Sequence, residues 1–542
     1  MTGRQQTDVF ALIPFRLHDY PFLLTLGTFT LSVIVSVFMD RFAVPKRVRR
    51  AKRQGMTWKN HVFDVAVRLP VIALVFIGFF AISWRPLYAG AGTMSFFIIF
   101  MAISRAKFQF IREPLVFSDI ALVADVFKYK TIFYASKLNI VFWIASFSYV
   151  FGVSGLYMWF EPHVLPQDNH LFWIFVMWLI ANVTWFLLFF APINAPIAAT
   201  VQRFMPVIEP RLITVRFGTF CSVIFNFLIW LGVRRERIVT DVSNRILAAF
   251  HDLIDQYTTD KAPLVVVWQS ESFIDMRHFD VPGLALPTID RMKQRAVQWG
   301  RLNSVFEGGY TLRTEFAVLS GLQPDDIHVD ASYPYLRASH YADIVWPGKM
   351  RAAGWSTHFV HPYDRTFFLR HKAMPQLGFD HMSMLDSFDH DPERDGPYVS
   401  DDRLTDKVLG ICETIDGDQA GLVFVASMAN HGPWEPNRVE GLTDPVSIYL
   451  ELLQQSDKAL AKLLDGLNHL DRPVWLLFYG DHAPLLKSFA DPFPDPRTDY
   501  FIVPLSAARK AQHAPTFPKN EDPANLVRAL LNHAGLNKER LS

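Results

Sequence analysis

Hydrophobic and polar positions divide this chain into two regimes. Before about residue 235, apolar stretches follow one another near 21–39, 69–84, 89–103, 140–160, 171–190 and 212–231. Each approaches the ~20 residues an α-helix needs to cross a bilayer, so the pattern predicts a polytopic helical membrane domain over 1–233 with five or six spans. Residues 234–261 read as a helical linker, because Ile246, Leu247, Phe250, Leu253 and Ile254 fall at helical spacing. From 262 to 542 the polarity is mixed, and four short apolar runs each end on a polar cluster. Leu264–Trp268 runs into Gln269-Ser270-Glu271, and 474–479 into Gly480-Asp481-His482. The run 422–426 leads to Asn430-His431, and 358–360 to His361. Continuous apolar runs of this length are strands buried on both faces, as in parallel sheets. Ligands in such sheets collect beyond the carboxyl ends of the strands. The expectation is an α/β domain with a mostly parallel sheet whose rim gathers a carboxylate, an Asp-His pair and two further histidines.

Basic residues orient the membrane part. Arg41, Lys46, Arg47, Arg49, Arg50, Lys52, Arg53 and Lys59 crowd the first connection, and Arg105, Lys107, Arg112, Lys128, Lys130 and Lys137 crowd another. The connection 161–170 has neither Lys nor Arg. Positive-inside counting makes the two basic connections cytoplasmic and 161–170 external. Six spans then place both the N-terminus and the catalytic half outside. The stretch 212–231 carries Arg216 and reads alternatively as an interfacial helix. Five spans would put the two ends on opposite sides.

Composition adds limits. Half the residues are hydrophobic (51%), with 48 Phe, a heavy load for a soluble enzyme. A net charge of +1 gives no footprint for nucleic acid. Successive spans, not one short apolar stretch with a small-residue cleavage site, argue against a cleavable signal peptide. Two cysteines, Cys221 and Cys412, provide no disulfide framework.

The candidate chemistry lies at the strand ends. Glu271, Asp481 and His482 offer mixed oxygen and nitrogen donors, a set suited to Zn²⁺ or Mn²⁺ over Ca²⁺. The competing reading is a turn acid and an exposed loop acid. Gly308-Gly309-Tyr310-Thr311 precedes a helical pattern with Phe316, Leu319 and Leu322. Free backbone N–H groups at a helix start can hold an anion, and a hydroxyl there becomes a nucleophile when a metal ion lowers its pKa. Thr311 as a simple N-cap is the alternative.

Glu271-Ser272-Phe273 after a strand, Thr311 followed by Glu315-Phe316, Asn430-His431 and Gly480-Asp481-His482, in that order, resemble the lipoteichoic acid synthase family of membrane-anchored phosphoglycerol transferases. That resemblance implies an alkaline-phosphatase-like (sulfatase) α/β/α ectodomain over 262–542. It further implies that Glu271, Thr311, Asp481 and His482 surround a divalent ion, Mn²⁺ first with Mg²⁺ or Zn²⁺ as alternatives, and that Thr311 is the nucleophile. The segment 361–370 resembles the family's head-group grip, with His361 and Arg370 on the phosphate. Phe368 stands where the family usually has Trp. His431 matches the histidine beside the phosphate, and Trp434 is either an acceptor platform or core packing. The sheet-edge reading of His361 and His431, and the surface reading of Arg370, stay open.

The implied activity is transfer of glycerol phosphate from phosphatidylglycerol to a glycan or polymer, at the outer (periplasmic) face of a bacterial inner membrane. Phosphoethanolamine transfer to lipid A or another glycan is the nearest alternative, although those enzymes carry several ectodomain disulfides that a lone Cys412 cannot supply. Phosphodiester hydrolysis within the superfamily is a further one. Sulfate-ester hydrolysis requires a Cys or Ser nucleophile signature that Thr311-Leu312-Arg313-Thr314 does not fit. A non-catalytic sensor would have lost a ligand, and all four positions are filled.

Overall fold

A computed structural model of the chain describes residues 20–122, 128, 140–205, 209–247, 261–303, 310–506 and 518–536. The fold divides into two compact units, a helical one that ends at Val233 and a second that runs from Arg234.

Among the described residues of the first unit, four helices are long and apolar enough to cross a membrane: Pro21–Phe42, Trp58–Ser83, Pro86–Gln109 and His170–Phe189. Ile140–Phe160 is a further apolar helix of 21 residues. Phenylalanines and tryptophans such as Phe172, Phe175, Trp178 and Phe186 stand exposed along these helices, as lipid-facing side chains do. At one end, the Glu161 carboxylate accepts from the Leu87 and Tyr88 N–H groups (2.6 and 2.8 Å), capping the helix that starts at Pro86. Val164 N–H bonds to the Trp84 carbonyl nearby at 2.8 Å.

Another group of connections meets away from that cap. Lys52 pairs with Glu209 (2.6 Å), Arg53 donates to the Val215 carbonyl (3.1 Å), and Arg211 to that of Arg112 (3.0 Å). The stretch 212–231, expected as one span or one interfacial helix, belongs to this group and is broken. It forms Pro210–Phe217 and Thr219–Gly232, with Gly218 between them at φ +76°. Asp40 explains the break. Its Oδ1 accepts the Thr219 N–H at 3.0 Å, and a Cβ on Gly218 would fall 1.9 Å from its Oδ2. The 14-residue second helix is about 21 Å long, short of a ~30 Å hydrocarbon core. Phe227 and Trp230 near its end pack on Phe117 (6.1 and 5.5 Å).

The second unit opens with the helix Arg235–Leu247. Residues 248–260, which hold the linker positions Phe250, Leu253 and Ile254, lie outside the described residues. Arg235 anchors this start through a buried two-pronged pair with Asp330, 2.7 Å on each arm.

The sheet has seven strands: β1 Leu264–Ser270, β2 Gln298–Leu302, β3 Ser356–Val360, β4 His381–Ser383, β5 Gly421–Ala426, β6 Pro473–Gly480 and β7 Thr498–Ser506. Their order is β2-β7-β6-β1-β5-β3-β4. β6, β1, β5, β3 and β4 pair in parallel, and only β7 runs against its neighbours. Every residue of β1, β5 and β6 is buried, matching their unbroken apolar sequences. Val266, Trp268, Val423, Val425, Leu476 and Phe478 face a core shared with the helices Pro287–Arg295, Asp401–Thr414 and Pro445–His469. Leu526–His533 lies against β6 and Trp346–Ala352 against β3. This is the expected α/β/α layering with a mostly parallel sheet.

Candidate active site

Parallel pairing aligns the carboxyl ends of the central strands, with Ser270 of β1 opposite Gly480 of β6. Glu271 and Asp481-His482 therefore leave neighbouring strands side by side. Gly480 is required there, since a Cβ would lie 2.1 Å from the Phe273 carbonyl oxygen. Ser272 takes a left-handed φ of +51°, a strained turn for a residue with a side chain. That turn delivers its N–H to Asp481 Oδ1 at 2.7 Å, while its hydroxyl donates to Glu271 Oε1 at 2.8 Å.

Glu271, Asp481 and His482 form a buried group whose ligand-capable atoms all lie within 4.8 Å of one another. His482 Nε2 is 3.5 Å from Glu271 Oε1 and 3.4 Å from Asp481 Oδ2. The ring's Nδ1–H donates to the Ala483 carbonyl at 3.0 Å, so Nε2 keeps its lone pair toward the carboxylates. Asp481 Oδ2 is buried and accepts no hydrogen bond. A buried carboxylate oxygen without a donor needs a cation, so the donor set fits a divalent ion. Burial, then the neighbouring Glu271 charge, pushes Asp481 up to about 7, and burial also raises Glu271. Two carboxylates held this close strain against joint ionisation unless positive charge joins them.

Thr311 is the first residue of the helix Thr311–Ser320, and the N-cap position is Tyr310, which makes no side-chain cap bond. The simple N-cap reading of Thr311 therefore gives way. Its Oγ1 sits 3.5 Å from Glu271 Oε2 and 3.4 Å from His482 Nε2. Gly308 and Gly309 lie outside the described residues.

His361 and Arg370 come together behind this group. His361 donates Nδ1–H to the Ala426 carbonyl (2.9 Å) and accepts Arg370 Nη1 at Nε2 (3.0 Å). Burial, then the Arg370 charge, holds its pKa well below the ordinary imidazole value, so it is neutral. Arg370 is 1% exposed and forks onto Glu315, Nε to Oε1 at 3.1 Å and Nη2 to Oε2 at 2.9 Å. Glu315 also accepts from Gln269 (3.2 Å) and from the Tyr335 hydroxyl. Phe368 and Leu369 both sit at left-handed φ (+54° and +58°), and the Arg370 guanidinium lies over the Phe368 ring at 5.3 Å.

His431 directs Nδ1–H to the Gly432 carbonyl at 2.6 Å, and burial brings its pKa down to about 4. Arg438 wraps its loop by donating to the Ala429 and Pro433 carbonyls (2.6 and 2.9 Å). Trp434 is 7% exposed and meets Tyr449 edge-on at 5.2 Å inside the core, so packing occupies its ring.

Glu315 and Ser427 carry parts of the site that the sequence analysis did not assign. The Ser427 hydroxyl accepts the Glu271 N–H at 3.0 Å. The spacing of Glu315, one helical turn beyond Thr311, was the available signal. A second acidic group, Asp275 and Asp499 with His278, is already balanced: Lys293 lies 3.3 and 3.2 Å from the two carboxylates, and Arg277 pairs with Asp275 at 2.8 Å.

Comparison with known proteins places the chain in a family. The chain is 67% identical over 531 residues to the capsular polysaccharide biosynthesis protein RkpI of Rhizobium meliloti (strain 1021), covering 98% of both chains. Among solved structures it is similar to the phosphoglycerol transferase GacH of Streptococcus pyogenes, in complex with sn-glycerol-1-phosphate. That likeness has a TM-score of 0.41 and 21% identity, over 55% of this chain and 82% of the other. It is also similar to the integral membrane lipooligosaccharide phosphoethanolamine transferase A (EptA) of Neisseria meningitidis, with a TM-score of 0.49 and 12% identity over 92% and 95% of the two chains. The Sulfatase family model matches residues 263–536, half of the chain, and the chain belongs to that family.

Proposed function

We propose that this chain is a membrane-anchored, divalent-metal-dependent transferase that moves glycerol phosphate from phosphatidylglycerol to an envelope glycan through a phosphorylated Thr311. The carrying observation is the Thr311 hydroxyl, 3.5 and 3.4 Å from two members of a buried group that leaves one carboxylate oxygen without a donor. Glu271, Asp481 and His482 would hold the ion, with Mn²⁺ favoured by the mixed donors. Bound there, it would lower the pKa of the adjacent hydroxyl and neutralise phosphate charge. Thr311 Oγ1 attacks phosphorus, the bond to the diacylglycerol oxygen breaks, and the threonine proton ends on the released diacylglycerol. A glycan hydroxyl then attacks the phosphothreonine, its oxygen bonds to phosphorus, and its proton returns to Thr311. Neutral His431, which spends only its Nδ1 on the Gly432 carbonyl, would orient a head-group hydroxyl or phosphate oxygen without adding a charge that would trap the product, while His361, engaged at both ring nitrogens, holds Arg370 in place. The kinship to RkpI, a protein named for capsular polysaccharide biosynthesis, supports a glycan acceptor.

The proposed topology has five crossings, by Pro21–Phe42, Trp58–Ser83, Pro86–Gln109, Ile140–Phe160 and His170–Phe189. Thr219–Gly232 stays at the end where the basic connections gather, and the chain goes on from there to the catalytic unit, outside the inner membrane.

The test is incubation of the purified full-length protein with head-group-labelled phosphatidylglycerol and, separately, phosphatidylethanolamine, followed by mass spectrometry. A glycerol-phosphate adduct on Thr311 that Thr311→Ala lacks supports the reading. An adduct on Thr314 overturns the nucleophile, and one of phosphoethanolamine mass overturns the donor.

A further inference from the structure

The basic connection of the membrane unit has no part in the proposed reaction, and its charges are unbalanced. The helix Lys46–Arg53 carries six basic residues and no acid. Lys52 is answered by Glu209, while Arg49 and Arg53 are half-buried beside further positive charge. Arg68, 3% exposed on the Trp58–Ser83 helix, lies 3.4 Å from Asp40, and Arg216 binds Asp64 at 2.9 Å. Asp40 is thus engaged by Arg68 and Asp64 by Arg216, which leaves Arg41, Arg49 and Arg53 nearby without a carboxylate of their own among the described residues. Burial, and then the charges of Arg68, Arg41 and Arg49, hold the Arg53 pKa below its ordinary value, so these groups are close enough to repel. The Nε atoms of Arg53 and Arg68 are both buried without a hydrogen-bond acceptor. Against this cluster opens a cavity of about 400 Å³ lined by Arg49, Arg50, Ala51, Arg53 and Gln54.

Arginines lining a cavity in excess positive charge, one of them (Arg53) with an Nε–H that has no acceptor, fit an oxyanion bound by forked hydrogen bonds. The cavity's surroundings point to the source of that oxyanion. The cluster sits where two membrane-length apolar helices meet their connection, and Phe38, Phe42 and Trp58 stand 46%, 51% and 78% exposed there. Such aromatics mark the head-group level of a bilayer. We infer that Arg49, Arg50 and Arg53, which line this cavity, form a binding site for the phosphodiester of an anionic glycerophospholipid, whose acyl chains run along the apolar faces of the first two long helices. The site lies wholly within the membrane unit and needs neither the metal group nor Thr311.

Native mass spectrometry of the full-length protein in neutral detergent tests this with dioleoylphosphatidylserine and dioleoylphosphatidylcholine. Phosphatidylserine is chosen because the proposed reaction does not consume its head group. The wild type should retain phosphatidylserine at least tenfold more tightly than phosphatidylcholine, and Arg49→Gln/Arg53→Gln should lose that preference. Because Arg53 also holds the Val215 carbonyl and Arg49 that of Arg41, Arg50→Gln alone serves as a second variant. It should lose part of the preference while its melting temperature stays at the wild-type value. Equal retention of the two lipids by the wild type, or an unchanged preference in both variants, overturns the site. Inorganic phosphate or sn-glycerol 3-phosphate displacing the lipid at equal concentration would make it a free-phosphate site and overturn the lipid assignment.

Discussion

Glu315→Gln removes the charge that answers Arg370 while keeping the shape of the side chain. The two groups are 0% and 1% exposed and joined by two bonds of 2.9 and 3.1 Å, so water cannot replace the lost carboxylate. Breaking a buried pair on one side costs about 3–5 kcal/mol, because the remaining charge stays buried and unpaired. At about 2–4 °C per kcal/mol for a unit of this size, the melting temperature should fall by roughly 6–20 °C. Arg370→Met should cost a similar amount. In the double variant no unpaired charge is left, so its loss should be smaller than the sum of the singles by about 2 kcal/mol or more. The assay is thermal unfolding of the full-length protein in detergent, followed by tryptophan fluorescence, for all four members of the cycle. If Glu315→Gln melts within about 1 °C of wild type, or the two losses simply add, the pair is not a structural ion pair and Arg370 is free for substrate alone.

Asp481→Ala should abolish activity and divalent-ion binding with the second unit still folded, and metal analysis of the purified variant reads this directly. Retained ion with normal turnover removes the metal assignment. Cysteines placed at Gly55 and at Gln167 in a chain lacking Cys221 and Cys412 test the crossings: an impermeant thiol reagent added to spheroplasts should label position 55 and spare 167, and the reverse pattern refutes the five-crossing order. His358, half-buried and stacked on His381 at 4.5 Å, has its pKa brought down to about 4 by desolvation first. Its folded value lies below the unfolded ~6.5, so it contributes stability fully above pH 6.5 that is lost as pH falls toward 4. His358→Phe should flatten that stretch of the stability–pH curve, and an unchanged slope counts against the burial argument.

The central sheet was legible because β1, β5 and β6 are buried on both faces and need apolar residues throughout. Their ends were legible for the opposite reason, as Glu271 and Asp481-His482 interrupt apolar runs with groups a core would reject. β2 alternates buried and half-buried positions at the sheet edge, and β4 has only three residues, so neither presents an unbroken apolar run. Glu315 was visible as a residue but not as the partner of Arg370, which lies 55 positions away and is joined to it only by folding. The break at Gly218 was hidden in the same way. An apolar run with one glycine reads as continuous, while the carboxylate that stops it comes from Asp40, 179 residues earlier than the N–H it receives.

The same long-range pairing shows that several of the basic residues counted for orientation are not free loop charges. The positive-inside count treats Lys and Arg as solvated loop charges. In the fold, Lys52 is paired with Glu209, Lys107 is held by Glu113 and Asp119 at 3.2 and 2.7 Å, and Arg216 grips Asp64. These charges are components of packed structure, and the acids that offset them come from other connections. Arg49 and Arg53 are different, because the carboxylates within reach are already engaged by Arg68 and Arg216. Their surplus charge is what the proposed lipid site would use, and labelling at positions 55 and 167 decides on which side of the membrane it lies.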